Sequence, residues 1–308
     1  MIVVVGEALV DLAPVPGDGT GALRPLLGGS PYNVAVGLGR LDDETAYLGT
    51  LSLDAFGERL SHRLRDEGVS VHLVARTDAP TTLAVVHLDD TGRASYGFYL
   101  TGTSAAELTP EHLDGWESAD AAHVSLGAVT LDTEPAGEVL AGLIAQDRGD
   151  TLLSFDPNVR PAVIDDLRRY GTRLDQMVRD TDLVKVSDED LQILYPGRAH
   201  GDIARRWAAA GPAAVVVTRG PDGAEVHLAE GGSVTVPGET VEVADTVGAG
   251  DAFTSGLLHA LAQADALSRE RVRTLDETAW RDALTTAVHV AALTCTRPGA
   301  DPPRTVEL

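Results

Sequence analysis

The sequence predicts an α/β fold, with a central, mostly parallel sheet flanked by helices. Three observations carry that expectation. Short β-branched runs alternate with longer segments of helical period. Several of those runs are apolar on both faces, as strands of a covered parallel sheet are. Two hairpin-like segments break the rhythm and stand outside the main layer.

The elements follow in order. "IVVV" from Ile2 opens the sheet. Residues near 8–28, "ALVDLAPVPGDGTGALRPLLG", then alternate around the polar turn "PGDGTG" and read as the first hairpin. "SPYNVAVGLGRL" (30–41) is a helix, "ETAYLG" from Glu44 a strand, and "AFGERLSHRLRDEG" (55–68) a helix. Residues near 80–103, "PTTLAVVHLDDTGRASYGFYLTGT", turn at "DDTGR" and form the second hairpin. The two hairpins are expected to pair as a small antiparallel sheet, either as surface decoration or as a lid over a ligand. "AAHVSL" from Ala121, "TLLSFD" from Thr151, "DLVKVS" from Asp182 and "AAVVVT" from Ala213 continue the sheet. "EPAGEVLAGLIAQDRG" (134–149) supplies one right-handed crossover helix. Without repeats or an obvious linker, residues 1–308 read as one domain.

Composition narrows the function. Hydrophobic residues make up 44% and aromatics only 4%, so Ala, Val and Leu must supply most of the core. A formal charge of -23, from 47 acidic and 24 basic residues, repels nucleic acid and anionic membranes. A salty cytoplasm and genomic codon bias remain alternative origins of that acidity. The N-terminus lacks a basic region and its apolar run is too short for a signal peptide. No window approaches the roughly 18 uninterrupted apolar residues of a membrane span. The single cysteine, Cys295, reads as a small core residue in a reducing compartment. A soluble cytoplasmic protein is expected.

Lys185 is the only lysine, and it follows Val184, which excludes a P-loop. The protein-kinase strand lysine and H-R-D loop are missing too. No Gly-x-Gly-x-x-Gly follows the first strand, which argues against a nicotinamide cofactor. Zinc motifs are likewise lacking. Any phosphate chemistry must therefore use backbone amides, arginine and a metal ion.

"GAGD" (248–251) offers such amides. Gly248, Ala249 and Gly250 leave their N–H groups unobstructed before the helix candidate "AFTSGLLHALAQA" (252–264). Free amides at a helix N-terminus carry partial positive charge and attract anions. Asp251 sits within reach of whatever they hold, as a base for an attacking hydroxyl. The plainer alternative for these four residues alone is a tight turn with an acid suited to the helix dipole.

At this point the sequence resembles the ribokinase-like, or PfkB, carbohydrate kinases. "DTVGAGDAF" (245–253) is similar to their C-terminal signature and "GGSPYNVAVGLGRL" (28–41) to their N-terminal one. The likeness extends through "GEALVDL" (6–12), "SFDPNVRP" (154–161), "VKVSDEDL" (184–191), "VVTRGPDGA" (216–224) and "CTRPGADPP" (295–303). "GEALVDL", "YGFYLTGTSA" and "FDPNVRP" together look most like bacterial fructokinases. The resemblance implies a Rossmann-like α/β domain with a β-sheet lid formed by the two hairpins.

It further implies that Asp11, Gly28, Gly29 and Asn33 bind the sugar, the glycines by letting backbone approach it. Phe98 and Tyr99 would pack on the sugar from the lid, or form the lid's own core. Arg160, beyond a strand's C-terminal end, would approach the sugar or the moving phosphoryl group, or form a surface ion pair instead. Thr218, Arg219, Gly220 and Gly223 would make the ATP turn, with Ser187 nearby. The family's Asn-x-x-Glu motif reads Ser187-Asp188-Glu189-Asp190 here, leaving Glu189 and Asp190 as alternative outer-sphere partners of Mg2+ through water. Asp245, Val247 and Gly299 match a monovalent-cation site, taken for K+. The resemblance also allows a homodimer formed through the lid.

The function it implies is transfer of the γ-phosphoryl of ATP to a terminal sugar hydroxyl, with fructose to fructose 6-phosphate first in line. A 2-keto-3-deoxygluconate kinase and a nucleoside kinase are the rivals within the class. A ligand-binding regulator that has lost catalysis is the remote alternative, and a nicotinamide-dependent reductase a further one.

Overall fold

A computed structural model describes residues 1–15, 21–88, 94–116, 119–127, 129, 133–146 and 149–308. The N-terminal part runs β1 (Ile2–Val5), β2 (Leu9–Pro14), β3 (Leu23–Gly28), α1 (Ser30–Arg40), β4 (Thr45–Ser52), α2 (Ala55–Asp66) and β5 (Val74–Thr77). Next come β6 (Leu83–Leu88), β7 (Ala94–Tyr99), β8 (Ala121–Ser125), α3 (Ala136–Ala145), β9 (Leu152–Asp156) and α4 (Leu167–Arg179). β10 (Leu183–Ser187), α5 (Asp188–Leu194), α6 (His200–Ala208), β11 (Ala214–Thr218), β12 (Ala224–Leu228) and β13 (Ser233–Val236) follow. α7 (Ala249–Gln263), α8 (Arg269–Arg273) and α9 (Glu277–Cys295) complete the chain.

The nine-stranded sheet has the order β13-β12-β11-β10-β9-β8-β1-β4-β5. From β11 to β5 every pairing is parallel, and only β12 and β13 run antiparallel. The six strands expected from sequence are all present. β5, β12 and β13 are additions, short strands at the two ends of the sheet whose half-polar sequences carry a weak periodic signal. The chain leaves β1 toward β4 on one side and returns as β8 on the other. That reversal opens a crevice at the carboxyl ends of β1 and β8, where sheets of this kind bind ligands.

Two apolar layers cover the sheet. One packs side chains of α3, α4, α5 and α6, including Leu140, Leu174, Leu191 and Ile203, against Val124, Phe155 and Val215. The other packs α1, α7 and α9, including Val34, Phe253 and Leu284, against Val4, Leu183 and Val216. Aromatics are few but well placed: Trp116, Trp207 and Trp280, all the tryptophans of the chain, are fully buried. Cys295 ends α9 and is half-buried, a core margin where full burial was expected.

The second sheet has the order β3-β2-β6-β7. Each hairpin is antiparallel, but the seam joining them is parallel, pairing Val10–Leu12 with Leu83–Val85. The expected antiparallel seam gives way because both β2 and β6 depart from the main body in the same direction. The turns "PGDGTG" and "DDTGR" fall, apart from Gly21, outside the described residues.

Candidate active site

Gly248 enters α7 with φ 76°, the left-handed region, where a Cβ would stand 2.5 Å from Ala300 Cβ. No side chain caps the helix, and the N–H groups of Gly250 and Asp251 have no acceptor among the described residues. Such amides are open to an anion. Directly beneath lies Lys185: a Cβ on Gly250 would be 3.1 Å from its Nζ. Lys185 is buried on β10 and ion-pairs with buried Asp156 at 3.0 Å. Burial would depress the ammonium, but Asp156, aided by Asp190 and Asp251, raises its pKa, so it stays charged.

Asp251 is held from two sides. Ser30 Oγ donates to Oδ1 at 2.7 Å and Asn33 Nδ2 to Oδ2 at 2.9 Å. Ser30 in turn shares a 2.9 Å hydrogen bond with Ser125 at the carboxyl end of β8. Burial pushes the Asp251 carboxyl up, while the bonds from Asn33 and Ser30 and the charge of Lys185 pull against it. Asp11 is coupled to the same charge. Burial first, then repulsion by Asp251, lifts it to about 6, with Arg160 countering. Gly28 makes room for that carboxylate, since a Cβ there would lie 2.7 Å from Asp11 Oδ2. Gly29 caps α1 at φ 110°, with its missing Cβ 2.7 Å from Glu7 O.

Asn33 thus spends one of its two amide N–H groups on Asp251, leaving the other N–H and its carbonyl oxygen for a ligand. Register carries Asp11 across to Ala84 and Ala84 to Phe98, so the three share one face of the small sheet. Phe98 packs there on Leu9 and Ala84. Tyr99 falls on the opposite face, 63% exposed, and is not brought to Asp11. Arg160 is exposed at the start of the 3₁₀ turn Pro161–Val163, which packs against β7, and it is the cation that Asp11 feels.

Thr218 lies beside Ser187 at the ends of β11 and β10. Arg219 N donates to Gly223 O at 2.8 Å and closes the turn. Gly223, at φ 90°, admits no Cβ, because one would sit 2.2 Å from Val236 O. Asp190 is turned inward: Oδ1 accepts from Val159 N at 3.0 Å, and Oδ2 from Ser187 N and Oγ. Its carboxylate ties α5 to the loop carrying Arg160, whereas Glu189 is exposed. Asp245 gathers the other candidate cation residues, accepting from Val247 N at 3.1 Å and Gly299 N at 2.8 Å.

Sequence reasoning missed three members: Ser30, Asp156 and Lys185. Each sits in a segment already quoted, "GGSPYN", "SFDPNVRP" and "VKVSDEDL", and Lys185 was singled out only to exclude a P-loop. The lysine-free anion site expected from sequence is thus corrected by a buried ammonium under the amides. The constellation can hold a polyanion at the mouth of α7 and take a proton from a hydroxyl beside it.

Known proteins resemble the chain along most of its length. A fructokinase from Rhizobium leguminosarum bv. trifolii is 37% identical over 284 residues, 92% of this chain and 86% of that protein. The ATP-bound fructokinase of Xylella fastidiosa superposes with a TM-score of 0.87 at 29% identity, covering 97% of this chain and 93% of the other. A double-mutant fructokinase from Vibrio cholerae O395, in fructose-, ADP- and potassium-bound form, gives 0.83 at 30% identity with the same coverage. The profile described as "pfkB family carbohydrate kinase" matches residues 1–306, and the chain belongs to that family.

Proposed function

We propose that this protein transfers the γ-phosphoryl of ATP to a terminal hydroxyl of fructose, giving fructose 6-phosphate. One observation carries the reading: Asp251, fixed by Ser30 and Asn33, stands in the first turn of an uncapped helix with Lys185 beneath it. Similarity to fructokinases, among them one holding fructose and ADP, supports the sugar and the nucleotide.

In this reading residues 1–308 form one domain whose small sheet closes as a lid over the sugar. Asp11 and the Asn33 carbonyl oxygen accept sugar hydroxyls, and Phe98 bounds the site on the lid face that carries Asp11. Asp251 accepts the proton of the attacking hydroxyl late in a loose transfer, which suits a weak carboxylate base. The amides at the mouth of α7 and Lys185 stabilise charge on the phosphoryl oxygens, while Arg160 neutralises it from the loop side. Thr218–Gly223 seat the nucleotide.

Among the described residues no three His, Cys, Asp or Glu cluster as a metal site. Mg2+ would instead ride on phosphate oxygens, with exposed Glu189 the carboxylate to reach it through water, since both oxygens of Asp190 accept from Val159 and Ser187. When bound, that ion offsets phosphate charge. Asp245 with the backbones of Val247 and Gly299 would hold K+. Exposed Leu23 and Tyr99, on one face of the small sheet, support a homodimer through the lid. No described helix is long and apolar enough to cross a membrane.

Coupled ADP release across fructose, ketodeoxygluconate, ribose, tagatose and adenosine tests the substrate. Turnover with fructose at least tenfold above the others is expected, and a preference for ketodeoxygluconate overturns the choice of sugar. Asp251→Asn should abolish turnover while sparing sugar binding, and retained turnover removes Asp251 as the base.

A further inference from the structure

On the far face of the sheet from α7, a cavity of about 300 Å3 opens between α6 and the β11–β12 pair, lined by Arg198, His200, Arg219, Glu225 and His227. His227 lies opposite Val215, which packs with α6, whereas the neighbouring pair Val216–Val226 packs on the α7 side. The cavity and the mouth of α7 are therefore on opposite sides of one strand layer.

We propose that this cavity is a binding site for a phosphate dianion, free or carried by a small phosphorylated metabolite. Three independent features point there. His227 is 2% exposed, yet neither ring nitrogen has a hydrogen-bond partner among the described residues. A buried imidazole left unsatisfied calls for a ligand atom or water. Ala199 precedes helix α6 and offers no side-chain cap, and the N–H groups of His200 and Gly201 have no acceptor among the described residues. A Cβ on Gly201 would stand 3.6 Å from His227 Cε1, so the ring lies against that open first turn. Arg198 and Arg219 add two guanidinium groups, and the Arg219 Nε is buried with no hydrogen-bond partner among the described residues.

The charges divide in favour of an anion. Glu225 is the acid of the lining, 3.5 Å from Arg219 and 3.7 Å from His227. Asp202, in the first turn of α6, is already paired with Arg205. Burial keeps the His227 imidazole neutral, so it serves as a hydrogen-bond donor. A dianion fits two arginines, a helix N-terminus and that donor, and it would release Glu225 from Arg219. A cavity of this size lies at the small end of metabolite sites.

Arg219 also belongs to the turn Thr218–Gly223. An anion that holds its guanidinium would alter how firmly that turn seats a nucleotide, and nucleotide would alter anion affinity in return. This kinetic consequence rests on the proposed nucleotide role of the turn, whereas the binding claim does not.

The test is a titration of the nucleotide-free protein with inorganic phosphate at constant ionic strength, following the imidazole signals of His200 and His227 by 1H–15N NMR. Saturable shifts in the millimolar range are expected, weakened at least tenfold in Arg198→Glu and unchanged in Asp251→Asn. Arg198 is exposed, so its variant should fold; His227→Leu serves as a second variant that loses the response. A parallel titration with fructose 6-phosphate separates the sources: tighter saturation than by phosphate names a phosphorylated metabolite, and no response names the free ion. Linear drift at both histidines, or equal saturation in Arg198→Glu, overturns the site. In the kinetic arm, phosphate should change the KM for ATP in the wild type and not in Arg198→Glu. Loss of that arm alone, with NMR saturation intact, refutes the role of the turn and leaves the site standing.

Discussion

Ser30 Oγ reaches Asp251 Oδ1 over 2.7 Å, joining residues 221 positions apart at the mouths of two helices. The bond favours the ionised carboxylate, against burial that favours the protonated one. Ser30→Ala should lower kcat by roughly 10- to 100-fold, the span of a lost hydrogen bond to a charged group. A base works ionised, so activity falls as pH drops through its pKa. Without Ser30 that loss moves to higher pH. A pH profile of kcat with an unmoved acidic limb would show that Ser30 does not hold the base.

Asp11 carries a cost for its position. Its folded pKa of about 6 stands above the ordinary 3.8, raised by burial and then by Asp251. Between those values the folded state binds the proton better than the unfolded one. The resulting penalty grows as pH rises through that window and is complete above 6. Asp11→Asn removes it, so the ligand-free variant should melt about 2–4 °C higher at pH 7.5. Sugar KM should rise at least tenfold at the same time. Calorimetry beside sugar kinetics checks both, and a variant that melts lower has lost a stabilising contact instead.

Asp54 works in the opposite sense. Burial would raise its carboxyl, but bonds from the Thr81 hydroxyl and the Gly57 and Thr81 amides take it to about 2. It caps α2 and grips the segment leading into β6 at once. A depressed carboxylate gives stability that is complete above its ordinary 3.8 and lost as pH falls toward 2. Asp54→Ala should cost about 1–2 kcal/mol, as lost helix caps do. Limited proteolysis should cut the segment around Thr81 faster. Unchanged cleavage would mean that Asp54 serves α2 alone.

Much of this was legible in the sequence. The buried parallel strands announce themselves as two-faced apolar runs, and "GAGD" exposes its amides by composition alone. The remainder depended on register and long-range closure. Nothing local in "YGFYLTG" says that Phe98 shares a face with Asp11 while Tyr99 turns away, because the seam between β2 and β6 decides it. Asp190 reads as a metal partner in its motif, yet the Val159 amide, 31 residues distant, claims one of its oxygens. Lys185 stands out in the sequence only as the one lysine, placed wrongly for a P-loop, and its partner Asp156 is set by the pairing of β9 with β10.

The Lys185–Asp156 pair separates stability from chemistry. Both groups are buried, 3.0 Å apart, and Asp156 Oδ1 also accepts from Asn158 N at 2.9 Å. Removing one partner of such a pair strands a charge, so Lys185→Met alone should destabilise by about 3–5 kcal/mol. Adding Asp156→Asn neutralises the stranded carboxylate and should restore most of that loss, since the amide carbonyl still accepts from Asn158 N. If Lys185 serves only to neutralise Asp156, the double variant regains kcat as well. If its charge stabilises the phosphoryl group above Gly250, the double variant melts near the wild type yet stays at least 100-fold slower. That deficit is the loss of one preorganised donor at the reacting oxygens. Denaturant midpoints measured beside kcat on the two variants decide it: folding and turnover recovering together would reduce Lys185 to a counter-ion.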